Sequence, residues 1–298
     1  MVSPLIAENL TKSYGKLTAL KGIDLQIEDA GVYAVLGQNG AGKTSLIKCA
    51  LGLEAITSGV IKTLGHKPGS LAAKTRTGVI LQDTNLPDAL TVREHITLFA
   101  SYYPNALSVE ETISLCELEG FADKRYKALS GGQKRRTQFA LAIVGDPQLI
   151  FLDEPTTGLD IDARRNLWEV IRAFASKGKT IVLTTHYLEE ADSLADRIMV
   201  LNDGKIVANS TPQAIHSEVS GNVVRCQTNL HVDQLNALPS VSGVTVSGRF
   251  SEIRTTDTNN TLRELLNLDP ILSELTVSQP KLEDIFSELS QLSEGEAA

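Results

Sequence analysis

The fold of this chain is decided by a glycine-rich stretch, Gly37-Gln38-Asn39-Gly40-Ala41-Gly42-Lys43-Thr44. It follows the apolar run Val32–Leu36, precedes a helical pattern, and matches the motif GxxxxGK[ST]. Glycines let the backbone curl until successive N–H groups point at phosphate oxygens, and the start of a helix adds partial positive charge. The stretch therefore predicts a phosphate-binding loop in which Lys43 reaches the β- and γ-phosphates of a nucleotide and the Thr44 hydroxyl binds Mg²⁺.

Two carboxylates, Asp153 and Glu154, stand at the end of a second apolar run, Leu149–Asp153. In phosphoryl-transfer sites a carboxylate at a strand end holds Mg²⁺, and another group orients the attacking water. The run therefore predicts Asp153 beside the metal ion and Glu154 facing the γ-phosphate, where it polarises the water. A solvated acidic turn is the alternative, and the phosphate-binding loop in the same chain favours the nucleotide site.

Apolar runs alternate with helical patterns through the first two thirds of the chain. The runs Val32–Leu36, Leu149–Asp153 and Thr180–Thr184 are apolar throughout and rich in β-branched residues, which is typical of strands buried on both faces. A helical pattern covers Arg164–Ser176, and residues from about 91 to 145 are mostly helical in pattern. These observations predict an α/β fold with a parallel sheet and a helical insert.

The composition changes near residues 217–222, which predicts a second domain over residues 218–298. Its pattern gives the order βαββαβ, which is that of a small ferredoxin-like α+β sandwich. The predicted elements are the strand Val223–Cys226, the helix Val232–Leu238, the strands Val244–Val246 and Glu252–Thr255, the helix Leu262–Leu268 and the strand Glu274–Ser278.

The net charge of −8 is unevenly distributed. Residues from Glu218 onward carry 5 Lys and Arg against 12 Asp and Glu, whereas the preceding part of the chain is nearly neutral. Neither part has the basic excess that binding to a phosphate backbone requires. No nucleic-acid partner is therefore expected.

The sequence gives no sign of membrane insertion, secretion or metal binding by cysteine. No apolar run approaches the roughly 18 residues that cross a bilayer, and the N-terminus has no basic region followed by an apolar core. Cys49, Cys116 and Cys226 are far apart and form no CxxC pair, which argues against a zinc site or a disulfide framework. A cytoplasmic protein with buried free thiols is expected.

A further motif, Leu129-Ser130-Gly131-Gly132-Gln133, lies upstream of the acidic strand. Together with the phosphate-binding loop it resembles the signature of ATP-binding cassette (ABC) ATPases, and the resemblance covers roughly residues 4–217. It implies the P-loop NTPase fold of an ABC cassette over residues 1–217, with a RecA-like core and a helical subdomain over about residues 85–145.

Other residues match elements of this family in the expected order. Tyr14 lies where the family stacks an aromatic ring on adenine, and Gln82 resembles the glutamine of its Q-loop. Asp160 resembles the D-loop aspartate, and His186 the switch histidine. Packing or ordinary hydrogen bonding is the alternative for each of these side chains taken singly.

The resemblance implies three sets of site residues. The implied catalytic residues are Glu154, His186, Gln82 and Lys43, and the implied Mg²⁺ ligands are Thr44, Gln82 and Asp153. The implied nucleotide-binding residues are Tyr14, Gly37, Gln38, Asn39, Gly40, Ala41, Gly42, Lys43, Thr44, Ser45, Ser130, Gly131, Gly132, Gln133 and Asp160.

The resemblance also implies a mechanism that needs two copies of the chain. The signature of one copy closes over ATP held by the phosphate-binding loop of the other, and Ser130, Gly131 and Gly132 donate to the γ-phosphate. Because the chain has one such loop and one signature, a homodimer with two hydrolysing sites is expected. Its ligands would be ATP and Mg²⁺, and hydrolysis would open the dimer.

Three classes of ABC ATPase are considered as hypotheses. Soluble ATPases of DNA repair or chromosome organisation carry long coiled coils between the two motifs, but Ser130 follows Lys43 by only 87 residues and no heptad run is visible. Ribosome-associated factors resemble two cassettes joined by a basic linker, and the sequence has neither feature. A transporter subunit, held on the cytoplasmic face of the membrane by a separate permease, is therefore expected.

The direction of transport is predicted from a finer resemblance. The stretch GDPQLIFLDEPTTGLD over residues 145–160 and the ending over residues 279–286 resemble the CcmA or daunorubicin-resistance class of exporter ATPases. Export is predicted, with import as the alternative. Drug, lipid, polysaccharide and peptide cargoes all remain open, because the cargo contacts the permease.

Two surfaces have more than one interpretation. Residues 83–103 lie where the family's permease helix docks, and their apolar side chains fit a docking groove or a helical core equally well. These side chains are Leu86, Leu90, Leu98, Phe99, Tyr102 and Tyr103. The amphipathic segment Leu282–Leu292 is interpreted as a helix covering the C-terminal sandwich, or as part of a domain that stabilises the homodimer or controls permease access.

Overall fold

The structure is a computed structural model that describes residues 2–82, 84–218 and 222–278, with the backbone alone for residues 216–218. The chain divides into two compact units, Met1–Ser210 and Thr211–Ala298. The boundary predicted at residues 217–218 lies at the end of a helix, Pro212–Glu218, that belongs to the second unit. The predicted amphipathic segment and exporter-like ending, over residues 279–292, lie outside the described residues.

The first unit combines two sheets with helices on either side. Its strands are β1 (Leu5–Tyr14), β2 (Leu17–Ile27), β3 (Gly31–Leu36), β4 (Ser58–Thr63), β5 (Thr77–Ile80), β6 (Leu149–Asp153), β7 (Thr180–Thr185), β8 (Arg197–Asn202) and β9 (Lys205–Ser210). Its helices are α1 (Lys43–Leu51), α2 (Leu71–Lys74), α3 (Val92–Ala100), α4 (Val109–Leu115), α5 (Gly131–Ile143), α6 (Ile161–Ala175) and α7 (Leu188–Leu194).

The larger sheet has the order β5-β6-β7-β3-β8-β9, and all neighbours are parallel except β8 and β9. Every residue of β6 and β7 is buried, which agrees with the continuous apolar runs at Leu149–Leu152 and Ile181–Leu183. The carboxyl ends of parallel strands meet at one edge of a sheet, where α/β proteins bind their ligands. The segments that follow β3, β5, β6 and β7 are therefore brought together there.

The smaller sheet, of order β2-β1-β4, is antiparallel, and no strand was predicted in this part of the chain. A register shift between Ala7 and Leu10 interrupts the pairing of β1 with β2, and Asn9 adopts a φ of 46°. A bulge of this kind breaks the alternation of buried and exposed residues by which a strand is recognised. The pattern of β1 was therefore not visible in the sequence.

Helices α3, α4 and α5 form the predicted helical insert. Their starts are fixed by side-chain caps: Thr91 and Ser108 accept backbone hydrogen bonds at α3 and α4, and Ser130 does so at α5. Helix α6 begins before the predicted residue Arg164, because the Asp160 carboxylate caps it by accepting a 2.8 Å hydrogen bond from the Ala163 N–H.

The second unit has the element order predicted from the sequence. After helix α8 (Pro212–Glu218), its elements are β10 (Asn222–Gln227), α9 (Val232–Asn236), β11 (Val241–Ser247), β12 (Phe250–Thr255), α10 (Thr258–Leu268) and β13 (Ser273–Ser278). The strands form an antiparallel sheet of order β11-β12-β10-β13. Its core contains Val224, Cys226, Leu235, Leu238, Ile253 and Leu265.

The three cysteines are free and buried, as predicted. Burial raises the pKa of the Cys116 thiol, so this residue remains a neutral packing group. Among the helices that the structure describes, none is sufficiently long and apolar to cross a membrane.

Candidate active site

The loop between β3 and α1 approaches its neighbours so closely that glycine is required at two positions. A Cβ atom on Gly37 would lie 2.4 Å from the Leu201 carbonyl oxygen. Gly42 has a φ of 109°, and a Cβ atom there would lie 2.5 Å from the Ala19 carbonyl oxygen. Gln38, Asn39 and Gly40 are exposed, whereas Ala41 and Gly42 are buried. The motif thus forms a tight turn at the start of a helix, as predicted.

Lys43, the first residue of α1, is buried inside this loop. Its ammonium group donates hydrogen bonds to the carbonyl oxygens of Gly37 at 2.7 Å and Gln38 at 3.1 Å. Burial lowers the pKa of Lys43, and the nearby carboxylates of Glu154 and Asp153 oppose that shift. The ammonium group therefore lies between the loop and the acidic end of β6.

Asp153 has one carboxylate oxygen satisfied and one unpaired. Its Oδ1 accepts hydrogen bonds from the hydroxyls of Thr184 at 2.5 Å and Thr44 at 3.3 Å. Its Oδ2 is buried and has no hydrogen-bond partner among the described residues. An unpaired carboxylate oxygen in the interior is costly unless a cation or donor meets it.

This arrangement fits a Mg²⁺ ion. Mg²⁺ binds oxygen ligands and is usually held by one or two protein groups together with substrate phosphates. Asp153 Oδ2 is an unpaired oxygen ligand of this kind, and the Thr44 hydroxyl lies 3.3 Å from the other oxygen of the same carboxylate. Gln82, the third predicted ligand, has its described hydrogen bond with Glu154 instead. The described residues contain no group of three or more His, Cys, Asp or Glu that could hold a metal ion.

Glu154 adopts an unusual backbone conformation, with a φ of 49°. Its N–H donates to both the carbonyl oxygen and the hydroxyl of Thr184, each at 3.1 Å. Residues other than glycine occupy this left-handed region only when their surroundings hold them there, and such residues are concentrated at functional sites. The conformation turns the chain sharply after the buried strand β6.

Four side chains from separate segments converge on the Glu154 carboxylate. His186 Nδ1 lies 3.3 Å and the Lys43 ammonium 3.7 Å from Oε1. The Gln82 amide and the Thr157 hydroxyl donate to Oε2 at 3.3 and 3.2 Å. The predicted catalytic set is therefore assembled at one point, and Glu154 as a whole residue is only 8% exposed.

The remaining predicted nucleotide-binding residues are Tyr14, Asp160 and the residues of the signature. Tyr14 is 39% exposed, its ring lies 4.4 Å from the Lys12 ammonium, and its hydroxyl is 3.5 Å from the Ser45 hydroxyl. This places Tyr14 beside the phosphate-binding loop. Asp160 caps α6, and its described hydrogen bond serves that helix.

The signature residues form the first turn of α5. The Ser130 hydroxyl accepts from the Gln133 N–H at 3.3 Å, and the Gln133 side chain accepts from the Ser130 N–H at 3.1 Å. This capping box leaves the Ser130 hydroxyl proton free to donate. A Cβ atom on Gly131 would meet nothing within 4 Å, whereas one on Gly132 would lie 2.7 Å from the Ala163 Cβ. Gly131 therefore faces open space.

A cavity of about 510 Å³ opens beside Glu154. Gln82 and Glu154 line it together with Leu86, Tyr126 and Lys134. The cavity thus joins the helical insert to the acidic turn.

The apolar residues predicted over 83–103 divide between surface and core. Leu98 and Tyr102 are exposed, by 41% and 64%. Leu86, Leu90, Phe99 and Tyr103 are half-buried. Part of this set is therefore available to a partner and part belongs to the helical core.

Comparison with known proteins identifies the family. The model of the family described as ABC transporter matches residues 20–157. Nod factor export ATP-binding protein I from Rhizobium sp. strain N33 is 38% identical over 288 residues, covering 94% of each chain. The protein of the same name from Burkholderia orbicola strain AU 1054 is 39% identical over 231 residues, covering 75% of this chain and 76% of the relative. This chain belongs to the ATP-binding subunits of ABC transporters.

Solved structures share the cassette fold of this ABC ATPase. An ATP-binding subunit of an ABC transporter is 27% identical with a TM-score of 0.64, covering 72% of this chain and 92% of its own. A dimeric ATP-binding cassette in a post-hydrolysis state, bound to ADP and Pi, is 28% identical with a TM-score of 0.62, covering 70% and 98%. CbiO1 from Clostridium perfringens, part of the transporter complex CbiONQ, is 27% identical with a TM-score of 0.65, covering 73% and 92%.

These likenesses confirm the predicted ABC cassette, with its α/β core and helical insert. The chain binds and hydrolyses ATP as the nucleotide-binding subunit of a transporter.

Sequence reasoning missed several residues that hold the site of this ABC ATPase together. Thr184 bonds to Asp153 and to the Glu154 N–H, and Thr157 bonds to the Glu154 carboxylate. A threonine in or after a strand is common, so neither residue carried a signal. Arg135 lies on α5 just before the buried residues Thr137–Ile143, and its contact with the turn after β6 depends on tertiary packing.

Proposed function

We propose that this ABC ATPase is the motor subunit of an exporter and works as a homodimer on a separate membrane permease. The observation that carries the proposal is the extent of the similarity to Nod factor export ATP-binding proteins. The Rhizobium sp. N33 protein matches over 94% of both chains, so the match takes in most of the second unit as well as the cassette. We assign that second unit, with the predicted ferredoxin-like sandwich, to the same exporter class, and the chain to the cytoplasmic face of the membrane.

Hydrolysis depends on Glu154 in this proposal. Its carboxylate accepts a proton from the water that attacks the γ-phosphorus, and the leaving group is ADP. Gln82 and His186, each 3.3 Å from a Glu154 oxygen, hold the carboxylate and the water in line. Lys43 exchanges its loop carbonyl contacts for the β- and γ-phosphates, where its charge stabilises the transition state.

Binding of the nucleotide involves the rest of the first unit. The backbone of Gly37–Ser45 surrounds the phosphates, and Tyr14 stacks on the adenine. Thr44 and Asp153 hold Mg²⁺, which neutralises negative charge on the phosphates when bound. The support for this assignment is the unpaired Asp153 Oδ2, together with the contact of the Thr44 hydroxyl with the other oxygen of this carboxylate.

The signature acts on ATP held by the partner copy. The Ser130 hydroxyl and the N–H groups that begin α5 donate to the γ-phosphate across the dimer. The open space beside Gly131 and the dimeric cassette among the related structures support this role. Loss of the γ-phosphate then removes these contacts and opens the dimer.

The two signature glycines give a matched test of the homodimer. We expect Gly131→Asp to leave the folded subunit and its ATP binding intact, because nothing lies within 4 Å of the added Cβ, but to abolish ATP-dependent dimerisation by repelling the phosphates. Gly132→Ala should instead destabilise the subunit through Ala163. Light scattering with ATP and thermal melting separate the two effects. A Gly131→Asp protein that dimerises normally with ATP would contradict the role in trans.

We propose that a helix of the permease docks in the cavity lined by Leu86 and Tyr126. The support is that Leu86, from the segment predicted to dock the permease, lines the cavity together with Gln82 and Glu154, whose side chains are in hydrogen-bond contact. A permease helix bound in this cavity would contact the segment that contains Gln82, so that its position would depend on the position of that segment. The cargo itself contacts the permease, so its chemistry is set by that second chain.

A pull-down from detergent-solubilised native membranes tests the transporter assignment. Tagged Glu154→Gln protein with Mg-ATP is the bait, since it should hold the closed dimer, and mass spectrometry reads the result. We expect recovery of a small multi-spanning membrane protein. Leu86→Arg in the same background is the matched control, because a charge in the cavity should release the permease without loss of ATP binding.

Recovery of ribosomes, DNA or only soluble proteins would overturn the transporter assignment. Equal recovery of the membrane protein by the Leu86→Arg control would overturn the docking site while leaving the transporter assignment in place.

A further inference from the structure

Arg135 of α5 binds the backbone carbonyl groups of the turn that carries Glu154. The Arg135 Nε donates to the Pro155 carbonyl oxygen at 2.6 Å. Its Nη2 donates to the carbonyl oxygens of Glu154 at 2.7 Å and Asp153 at 3.2 Å. Three successive carbonyl groups are therefore satisfied by one guanidinium group.

Arginine suits this position better than any other residue. The chain leaves the ladder of β6 at this turn, so its carbonyl groups need other donors. A guanidinium group offers five N–H donors in a rigid planar fork, whereas lysine offers a compact charge on a flexible stem. The turn also contains Glu154 at a φ of 49°, a conformation that persists only where the surroundings hold it.

The other edge of Arg135 is tied to the segment that carries Gln82. Its Nη1 donates to Gln138 Oε1 at 2.9 Å and lies 3.5 Å from the Leu81 carbonyl oxygen. The Gln138 amide in turn donates to the Thr84 carbonyl oxygen at 2.9 Å. The backbone is thus held immediately before Gln82 and two residues after it.

We propose that Arg135 is a positioning residue for ATP hydrolysis, which fixes the turn Asp153–Pro155 and the Gln82 segment relative to each other. The 3.3 Å hydrogen bond from the Gln82 amide to the Glu154 carboxylate then persists. The inference rests on the catalytic role proposed for Glu154. The hydrogen bonds that the described residues give Arg135 go to this turn, Gln138 and Leu81, not to the phosphate-binding loop. Its loss should therefore affect turnover more than ATP binding.

The test compares Arg135→Gln and Arg135→Lys with Arg136→Gln in the full-length protein. Arg136 is the next residue on α5, and its guanidinium group contacts Glu117 instead of the turn. We expect Arg135→Gln to lower kcat about 10- to 100-fold, because displacement of a reacting group by about 1 Å costs this much. The KM for ATP should stay within about threefold, and Arg135→Lys should recover only part of the rate.

A second readout separates positioning from simple loss of structure. In the Glu154→Gln background, Arg135→Gln should have little further effect on the residual rate, since the group that it positions is already gone. A purely structural role would instead lower the residual rate by the same factor, and would lower the melting temperature and the ATP affinity together.

Several results would overturn the inference. One is a kcat for Arg135→Gln equal to that of Arg136→Gln, and another is a fall in kcat matched by a rise in KM. If Arg135→Gln does not fold, Arg135→Lys decides by the same criteria, and failure of both to fold would show a structural role only. Full activity of Glu154→Gln would overturn the catalytic role proposed for Glu154, on which this inference rests, whereas an inactive Glu154→Gln beside fully active Arg135 variants overturns this inference alone.

Discussion

Glu154→Gln should lower ATP turnover by about 10²- to 10⁴-fold, the range that a general base contributes. The amide keeps the shape of the carboxylate and still accepts the hydrogen bonds of the Gln82 amide and the Thr157 hydroxyl. It has no lone pair basic enough to take a proton from water. The variant should therefore bind Mg-ATP as tightly as the parent protein and form a long-lived dimer. Steady-state phosphate release and equilibrium nucleotide binding measure the two quantities.

Glu189→Gln is the matched control for this prediction. Glu189 lies on α7 with 71% of its side chain exposed, and its ion pair with Arg164 spans 3.8 Å. A surface pair of this kind contributes little, so the control should retain full turnover. If Glu154→Gln hydrolyses ATP as fast as this control, Glu154 is not the base, and the convergence of side chains on its carboxylate needs another explanation.

The parts of the site that the sequence predicts are those written in contiguous motifs. The loop from Gly37 to Thr44 and the acidic end of β6 each owe their chemistry to residues within a few positions of one another. Buried parallel strands with a uniformly apolar sequence place both at the same sheet edge, so their meeting follows from the fold class. Asp153 and Thr44 lie in hydrogen-bond contact for this reason.

The features of the site and fold that were not predicted depend on contacts between segments that are distant in the sequence. The contact of Arg135 with the turn after β6 joins positions about 20 residues apart through tertiary packing, and no local pattern records it. The left-handed conformation of Glu154 is likewise unmarked, since glutamate has no preference for it. The strand β1 was missed because its bulge near Asn9 hides the alternation.

The second unit shows the same division. Alternation and helical periodicity predict the elements from β10 to β13, and residues of β10, α9, β12 and α10 form the core around Val224 and Ile253. The strand order β11-β12-β10-β13 depends on pairing between strands far apart in sequence, such as Val224 with Val277. The ferredoxin-like sandwich itself stays a prediction from the element order.

Lys43→Ala should abolish tight nucleotide binding. The buried ammonium group is held by the Gly37 and Gln38 carbonyl oxygens, 3.7 Å from the Glu154 carboxylate. The positive charge of Lys43 would attract the bound phosphates. Without Lys43, the repulsion between the phosphates and the Glu154 carboxylate would not be balanced by a nearby cation. Loss of one partner of a buried charge pair costs about 2–5 kcal/mol, so the affinity should fall at least about 30-fold. Calorimetric titration with Mg-ATP measures the change.

Lys48→Ala removes the same charge from the same helix and should leave the affinity unchanged. The double variant Lys43→Ala/Glu154→Gln should regain part of the lost affinity, because the amide no longer repels the phosphates.

The affinity for Mg-ATP should also depend on pH. Burial lowers the pKa of Lys43 from 10.5, and bound phosphate raises this pKa again. The affinity of the parent protein should therefore decline as the pH rises toward 10.5, and proton uptake should accompany binding. The Lys43→Ala variant should lack this decline. If the Lys43→Ala variant binds Mg-ATP with the affinity of the parent protein at every pH, the buried ammonium group stabilises the loop and does not bind the phosphates.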